Sequence, residues 1–240
     1  MIFKLGKKSS CYVCKKSFWK FIPSSRKRST FTSSLGVIGS DIKRFLCPYC
    51  GVIDRTRHLF LYFDKINLWD RFKDAKILHF APEKELLVKI NSLYPIEYVL
   101  ADLYPRSPDI KKVDVTSINY PDEYFDIIIC NHVLEHVTDY KMAISEIFRS
   151  LKFGGVAVLQ TPYSNKIHKN FSDNLIQSKV DKALYYGDSD HLRVFGKELI
   201  ENFSEAGFKL RLKSHKEILN EFNPIKYGVN ANEDLIYLQK

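Results

Sequence analysis

Three polar residues stand at the ends of successive predicted strands, where they are placed to bind a ligand. Asp102 ends one apolar stretch, Asp114 lies in the next, and Asn131 directly follows the continuous apolar run 125–130. The carboxyl ends of parallel strands form the crevice in which α/β sheets bind ligands. A carboxylate after the second strand can accept hydrogen bonds from both ribose hydroxyls of a nucleotide. This ordered recurrence predicts a nucleotide-type site with Asp102 as its principal contact.

The elements that must position these residues alternate along the chain after residue 75. Apolar runs predict strands at 76–81, 98–102, 112–115, 125–130, 155–160, 208–213 and 235–238 and helices at 82–90, 139–152 and 197–206. Such alternation is typical of a parallel, doubly wound sheet. We therefore expect an α/β, Rossmann-like, mostly parallel seven-stranded sheet, whose last two strands pair near the C-terminal edge.

Four of the five cysteines form two pairs, Cys11-x-x-Cys14 and Cys47-x-x-Cys50. Four thiolates from two tight turns can complete a tetrahedral zinc shell, so the pairs predict a zinc-ribbon-like module with these four metal ligands. The 32 residues between the pairs exceed the usual spacing, and redox-active or unpaired thiols are the alternative. The fifth cysteine, at position 130, is expected to be a small core residue.

The net charge of +9 is concentrated in the N-terminal part. Residues 1–76 contain 17 Lys and Arg and 5 Asp and Glu, whereas residues 77–240 contain 20 and 23, giving +12 and −3. This asymmetry suggests an anionic partner, such as nucleic acid, a nucleotide-linked substrate or an acidic membrane surface, and a solvated lysine-rich surface is the alternative. The polar, basic segment 15–45 has little periodicity and is expected to be a long loop between the cysteine pairs.

Nothing in the sequence indicates a membrane-spanning segment. No run approaches the apolar length needed to cross a bilayer, and residues 1–8 lack the features of a secretory signal. The expected location is therefore the cytoplasm.

The chain resembles the class I S-adenosylmethionine-dependent methyltransferases over about residues 76–240. The motifs that carry this resemblance are Ile-Leu-His-Phe-Ala-Pro-Glu at 77–83, Ala-Asp at 101–102, Val-Asp-Val at 113–115, Tyr-Phe-Asp-Ile-Ile-Ile-Cys-Asn-His-Val-Leu-Glu-His-Val at 124–137 and Leu-Lys-Phe-Gly-Gly at 151–155. A narrower resemblance, to bacterial methyltransferases of the type 11-like group that begin with a cysteine-rich module, adds residues 47–57, 190–196 and 206–208.

The resemblance implies three parts of the chain. Residues 1–58 would be a four-cysteine zinc-binding module with a long basic loop, residues 59–75 a connecting helix, and residues 76–240 the methyltransferase domain. Within that domain an insertion at about 163–195 would form a lid over the pocket.

The resemblance also implies a set of residues that contact S-adenosylmethionine. These are His79, Phe80, Ala81, Glu83, Asp102, Leu103, Asp114, Val115, Asn131, His132 and Val133. One departure is that residues 79–83 replace the usual glycine-rich first loop, where glycine lets the backbone approach the ligand. Small Ala81 and Pro82 at the start of a helix are expected to serve instead, with Glu83 attracting the cofactor's ammonium group.

Methyl transfer by direct displacement requires alignment of the acceptor and, for a hydroxyl, removal of its proton. Histidine suits this near neutral pH. His191, between Asp190 and Arg193 in the predicted lid, is the preferred base, and Arg193 could orient it or bind an anion. His136 is the second candidate. The alternatives are that His136 caps a helix and His191 only anchors the lid.

The resemblance points to O-methylation of a sugar, sugar nucleotide, phosphorylated or surface-glycan acceptor, as in bacterial surface-polysaccharide modification. The basic N-terminal region leaves open an RNA base methyltransferase with a zinc module, although no recognised RNA-binding fold is visible. A third hypothesis is a catalytically silent zinc-binding scaffold. The sequence predicts no transmembrane segment and leaves the oligomeric state open.

Overall fold

In the computed structural model, which describes residue 3 and residues 7–240, the predicted sheet is present. The strands of the described residues are β1 (Ser9–Ser10), β2 (Ser17–Phe18), β3 (Lys76–Phe80), β4 (Glu97–Asp102), β5 (Lys111–Lys112), β6 (Phe125–Cys130), β7 (Leu151–Val158), β8 (Lys209–Leu210) and β9 (Tyr237–Gln239). Seven of these described strands form one sheet in the order β5-β4-β3-β6-β7-β9-β8. All pairings among β3 to β7 are parallel, and β9 runs antiparallel to both neighbours. The predicted α/β Rossmann-like fold is confirmed.

Helices cover both faces of this sheet. The helices of the described residues are α1 (Thr30–Ser34), α2 (Asp54–Lys65), α3 (Lys84–Asn91), α4 (Tyr140–Ser150), α5 (Lys179–Tyr186), α6 (Glu198–Glu205), α7 (His215–Ile218) and α8 (Pro224–Tyr227). Within residues 7–240, short 3-10 helices are at Ile42–Arg44, Leu68–Arg71 and Leu134–His136.

The central strand β6 divides the hydrophobic core. Successive side chains of a strand point to opposite faces. Ile127 and Ile129 therefore pack with α2 and α3, whereas Ile128 and Cys130 pack with α4 and α6. All four are fully buried, and each isoleucine contributes about 1.5–3 kcal/mol through burial. Burial on both faces explains why this strand is apolar throughout, and Cys130 is the core residue that the sequence predicted.

The ends of several strands differ from their predicted positions for local reasons. The third parallel strand, expected at 112–115, is only Lys111–Lys112, because Asp114 Oδ1 accepts a hydrogen bond from the Thr116 amide at 2.8 Å and turns the chain. The strand expected from residue 155 begins at Leu151, which pairs with Phe125 ahead of a register shift.

The basic segment 15–45 is more ordered than its sequence suggests. It contains α1, whose N-terminus is capped by Ser29, and Phe31 of that helix packs against Phe171 and Tyr185 with ring centroids 5.4 and 5.1 Å apart. Both partners belong to the insertion at 163–195. The basic loop and the predicted lid are therefore packed against each other.

Arg57, in the first turns of α2, joins the cysteine-rich module to the sheet domain. Its guanidinium is fully buried and donates hydrogen bonds to backbone carbonyl oxygens on both sides. The five acceptors, at 2.6 to 3.2 Å, are the carbonyl oxygens of Arg44, Phe45, Val52, Tyr227 and Gly228. Three of them precede α2 and two close helix α8, and the bond from Arg57 to the Tyr227 carbonyl spans 170 residues of sequence.

Burial lowers the pKa of Arg57, and nearby Asp54, itself fully buried, opposes that shift. The guanidinium stays charged because its intrinsic pKa is above about 12. Five carbonyl dipoles thus replace its hydration.

Among the described residues, no helix is long and apolar enough to cross a bilayer. Part of the N-terminal segment lies outside the described residues, namely residues 1, 2 and 4–6. These residues belong to the predicted zinc-binding module, and the expectation about a secretory signal also depends on them.

Replacing Arg57 with methionine should destabilise the protein by about 3–5 kcal/mol, because the apolar side chain leaves five carbonyl oxygens without this donor. Urea unfolding followed by circular dichroism measures the loss. Arg57→Lys retains the charge but not the forked set of donors, so its free energy of unfolding should lie between those of the wild type and Arg57→Met. Exposed Arg106→Ala should stay within about 0.5 kcal/mol of wild type. A similar small loss in Arg57→Met would contradict the anchoring role.

Candidate active site

The carboxyl ends of β3, β4 and β6 meet at one edge of the sheet. The chain leaves β3 to form β4 on one side and later returns to form β6 on the other. This reversal is the topological switch point at which doubly wound sheets bind ligands. Most of the residues predicted to contact the cofactor lie on the strands or loops of this edge.

The loop after β3 takes a glycine-like conformation without glycine. Ala81 has φ +45°, in the left-handed region, and its amide donates to the carbonyl oxygen of Ala101 at 2.9 Å. Pro82 and Glu83 then lead into α3, with Glu83 as its N-cap residue. The backbone turn that glycine normally provides is therefore present. It is made by alanine, whose side chain is the smallest that contains a Cβ.

Glu83 belongs to a buried hydrogen-bond network. Its Oε2 lies 2.7 Å from His79 Nε2, and its Oε1 accepts from Asn131 Nδ2 at 3.1 Å. His79 Nδ1 in turn lies 2.7 Å from the Tyr98 hydroxyl. Burial alone would raise the pKa of Glu83, but the hydrogen bonds from His79 and Asn131 lower it below the ordinary value of 4.5. His79 is fully buried, so its contribution to the edge is to orient Glu83, and Phe80 beside it is likewise in the core.

Asp102 retains a free acceptor at this edge. Its Oδ1 accepts from the Tyr104 amide at 2.8 Å, which fixes the carboxylate, and its Oδ2 has no partner among the described residues. The next residue, Leu103, is 41% exposed and offers an apolar surface beside it. Asp114 is exposed and its Oδ1 is held by the amide and hydroxyl of Thr116, whereas Val115 is buried.

Asn131 and His132 form the floor beyond β6. Asn131 is buried, and its Oδ1 accepts from the Gln160 amide at 3.2 Å while its Nδ2 binds Glu83. His132 has φ +56°, and its amide donates to the Gln160 carbonyl at 2.6 Å. This conformation turns the following residue, partly buried Val133, away from the strand direction.

A second feature is a cavity of about 360 Å³ beside the turn after β6. Most of its lining comes from three parts of the chain: the basic loop, the turn at 132–136, and the insertion around 186–191. Arg55 of α2 and Pro162 complete it. Its charged and imidazole side chains are Arg26, Lys27, Arg28, Arg55, His132, Glu135, His136, Asp188, Asp190 and His191. Two of the three predicted catalytic residues are among them.

His136 and His191 both line this cavity and use the same ring nitrogen in a contact with the backbone. His136 Nδ1 lies 3.1 Å from the Asp190 carbonyl oxygen, and His191 Nδ1 lies 3.1 Å from the Tyr186 carbonyl oxygen. A carbonyl oxygen only accepts, so each Nδ1 carries the hydrogen. In the neutral rings Nε2 then holds the lone pair, and neither Nε2 has a partner among the described residues. Burial lowers the pKa of His191, which favours its neutral form, although Glu135 opposes that shift.

Glu135 lies beside the two histidines and was not assigned a role from the sequence. It is buried and accepts from the Thr161 hydroxyl at 2.8 Å, and its Oε1 lies 3.4 Å from His132 Nδ1. Burial would raise the pKa of Glu135, but His132 and His191 lower it to about 2. The carboxylate is ionised. Glu135 directly precedes His136, and this position in the sequence was a signal of its role. The periodicity of helices and strands does not show which side chains of a 3-10 turn point inward.

Arg193 lies outside the cavity lining. Its guanidinium donates to the carbonyl oxygens of Leu134, Val137 and Thr138, and it stacks 4.8 Å from the centroid of the Tyr140 ring. These contacts hold the turn that carries Glu135 and His136.

The four paired cysteines converge as a cluster. Their sulfur atoms all lie within 4.8 Å of one another, and the Cys11–Cys50 and Cys14–Cys47 pairs are both 3.8 Å apart. A disulfide requires about 2.05 Å, whereas zinc bonded to four sulfurs at about 2.3 Å holds them about 3.8 Å apart. The Tyr49 amide donates to Cys47 Sγ at 3.4 Å, and Gly51 turns the chain with φ +75°. The donor set and spacing therefore fit zinc.

A protein-family model described as a methyltransferase domain matches residues 55–213. An uncharacterized protein of Methanocaldococcus jannaschii is 31% identical over 106 residues, which span 44% of this chain and 48% of that protein. A Mycolicibacterium smegmatis protein named "Probable S-adenosylmethionine-dependent methyltransferase" is 37% identical over 59 residues, 25% of this chain and 23% of that protein. The matched segments thus span half or less of these curated relatives.

A solved S-adenosylmethionine-dependent methyltransferase from Mesorhizobium loti shares the fold. It is 12% identical, with a TM-score of 0.50, and the match covers 75% of this chain and 98% of that one. The order of the strands and this likeness place the sheet in the Rossmann-like class of methyltransferase folds. Since the family model spans more than half of the sequence, the chain belongs to the methyltransferase-domain family. The class assigned from sequence motifs is confirmed at the level of family and fold.

Proposed function

We propose that this protein is an S-adenosylmethionine-dependent methyltransferase. The observation that carries the proposal is the carboxyl edge of a methyltransferase-family sheet, where Asp102 keeps one carboxylate oxygen free at the switch point. Ribose hydroxyls are suitable donors to that oxygen.

The residues at this edge fit the cofactor. Asp102 would hold the ribose, Asp114 and Val115 would lie near the adenine, and Leu103 would cover one side of it. The backbone at Ala81 would face the methionine portion, with Asn131 to Val133 beneath the sulfonium. When bound, the cofactor supplies a methyl group activated by its positive sulfur. Glu83 would attract the cofactor's ammonium group. Its hydrogen bonds with His79 and Asn131 hold the carboxylate in place, and each oxygen keeps a further lone pair for that contact.

The cavity beside this edge is the proposed acceptor site. Four cationic side chains, Arg26, Lys27, Arg28 and Arg55, line it against three carboxylates. This excess favours an anionic acceptor. We propose O-methylation of a sugar, sugar nucleotide, phosphorylated or surface-glycan acceptor; the glycan part rests on the resemblance to bacterial methyltransferases with cysteine modules.

In this proposal His191 Nε2 accepts the proton of the acceptor hydroxyl while the hydroxyl oxygen attacks the methyl carbon. The hydrogen bond from Nδ1 to the Tyr186 carbonyl supports the role, because it fixes the tautomer that leaves Nε2 free. His136, held by the Asp190 carbonyl, is the second candidate. Arg193 acts as a positioning residue for the turn on which His136 lies.

We also propose that Cys11, Cys14, Cys47 and Cys50 bind one zinc ion. The role of that ion would be structural, since four thiolates complete its shell and leave no position for substrate. The module would then support the basic loop that forms one wall of the acceptor cavity.

Titration calorimetry should show one S-adenosylmethionine bound per chain, with Asp102→Ala about ten- to hundredfold weaker, because a hydrogen bond to a charged group is lost. Exposed Asp109→Ala is the matched control and should bind as wild type does. If the wild-type protein gave a blank trace, the cofactor assignment would be wrong.

The enzyme should form S-adenosylhomocysteine faster when the acceptor is a nucleotide sugar or a sugar phosphate than when it is the neutral counterpart. Lys27→Ala should raise the KM for such an acceptor by about tenfold through loss of a charged contact. Lys141→Ala, an exposed lysine on α4 outside the cavity, should leave it unchanged. Turnover of an RNA oligonucleotide in place of sugars would instead support the RNA methyltransferase alternative.

Metal analysis by mass spectrometry should find that Cys14→Ser loses one zinc per chain relative to wild type, because three thiolates no longer complete the shell. The matched control is Cys130→Ala, a buried cysteine outside the cluster, which should keep its zinc. Equal zinc content in the two variants would exclude this site.

A further inference from the structure

The acceptor cavity contains a group of side chains with the composition of a metal site. One ligand atom each of Glu135, His136 and His191 lies within 4.8 Å of the others. Two imidazoles and one carboxylate are the usual protein ligands of catalytic zinc and of other first-row divalent ions that keep open positions for substrate. Bonds of about 2.1 Å separate neighbouring ligands by roughly 3.0–3.4 Å, so modest side-chain rotations would complete the geometry.

The second layer of contacts also matches a metal centre. Both histidines donate their Nδ1 hydrogen to a backbone carbonyl, at 3.1 Å in each case. Metal-bound histidine almost always makes this contact, which fixes the tautomer and directs the other nitrogen to the ion. Glu135 accepts from the Thr161 hydroxyl, as ligating carboxylates commonly do. Three adjacent ligands are thus already oriented.

A fourth group beside these ligands lacks hydrogen-bond partners. Both ring nitrogens of His132 are buried and make no hydrogen bond within the described residues, and Nδ1 has only the 3.4 Å ion-pair distance to Glu135. A buried polar nitrogen without a partner costs free energy unless a ligand or water completes it. A species that binds in this part of the cavity would supply one.

We propose that Glu135, His136 and His191 bind one divalent transition-metal ion, with zinc as the reference ion, and that its open positions face the acceptor. Two neutral imidazoles and one carboxylate leave such an ion with a net charge of about +1. Together with the four basic side chains of the cavity, that charge favours a hydroxyl or phosphate oxygen as the remaining ligand.

Metal binding at this site does not depend on the proposed methyl transfer; only its role in positioning the acceptor rests on the proposed function. With a metal ion bound, His191 would be a ligand and no longer a free base. The ion would then supply the polarisation of the acceptor hydroxyl, and the hydroxyl proton would pass to solvent.

The test is a zinc titration, by calorimetry, of full-length protein whose cysteine cluster is already loaded with one zinc. Wild type should bind a second equivalent. His136→Ala, His191→Ala and Glu135→Gln should each bind it at least about tenfold more weakly. His136 is exposed, so its variant removes a ligand with little effect on the core.

His168→Ala is the matched control, because His168 is exposed, pairs with Glu201 at 3.2 Å and lies outside the cavity lining. It should retain the second equivalent. If wild type takes up no second zinc, or if all three ligand variants keep it, the site does not exist. S-adenosylmethionine binding by the His136→Ala variant is measured separately. This measurement shows whether the cofactor site is intact when the metal site is lost.

Discussion

The buried guanidinium of Arg57 is the interaction on which the arrangement of the whole molecule depends. It joins the module before α2 to the C-terminal helix α8 through five carbonyl oxygens. Removing a charge from water is costly unless its donors are all satisfied, and here every branch of the fork is used. The cysteine-rich module is therefore fixed relative to the sheet, and the basic loop that it carries has a defined place above the sheet edge.

That placement separates the surface proposed for the cofactor from the cavity proposed for the acceptor. The strand ends around Asp102 and Asn131 belong to the sheet alone, and they form the surface proposed for the cofactor. The neighbouring cavity is lined mainly by the basic loop, the turn after β6 and the insertion that contains α5. The loop and the insertion meet through the contact of Phe31 with Tyr185 and the 2.7 Å ion pair between Arg26 and Asp188. Loops on a rigid scaffold are free to vary, so an acceptor site built from them can change while the cofactor site stays constant.

The loop after β3 shows how one local change is compensated by its surroundings. A non-glycine residue with positive φ is strained, and Ala81 takes this conformation where glycine is usual. The backbone bond to Ala101 and the network of His79, Glu83 and Asn131 hold the turn in place. The same network holds both oxygens of Glu83 in place at the edge, where its carboxylate is proposed to attract the cofactor's ammonium group.

The sequence by itself determined the sheet, the cysteine cluster and the place of Asp102, because strand periodicity, CxxC spacing and strand-end polarity are local patterns. Even so, the length of the short edge strand β5 is limited by the turn at Asp114, and the periodicity of the sequence does not predict that turn. Only the tertiary structure decided what Arg57, Glu135 and Arg193 contact, since each of them acts on residues distant in sequence or on a turn without periodicity. It also decided that the loop and the insertion enclose one cavity, because side-chain packing across more than a hundred residues leaves no signal in local spacing.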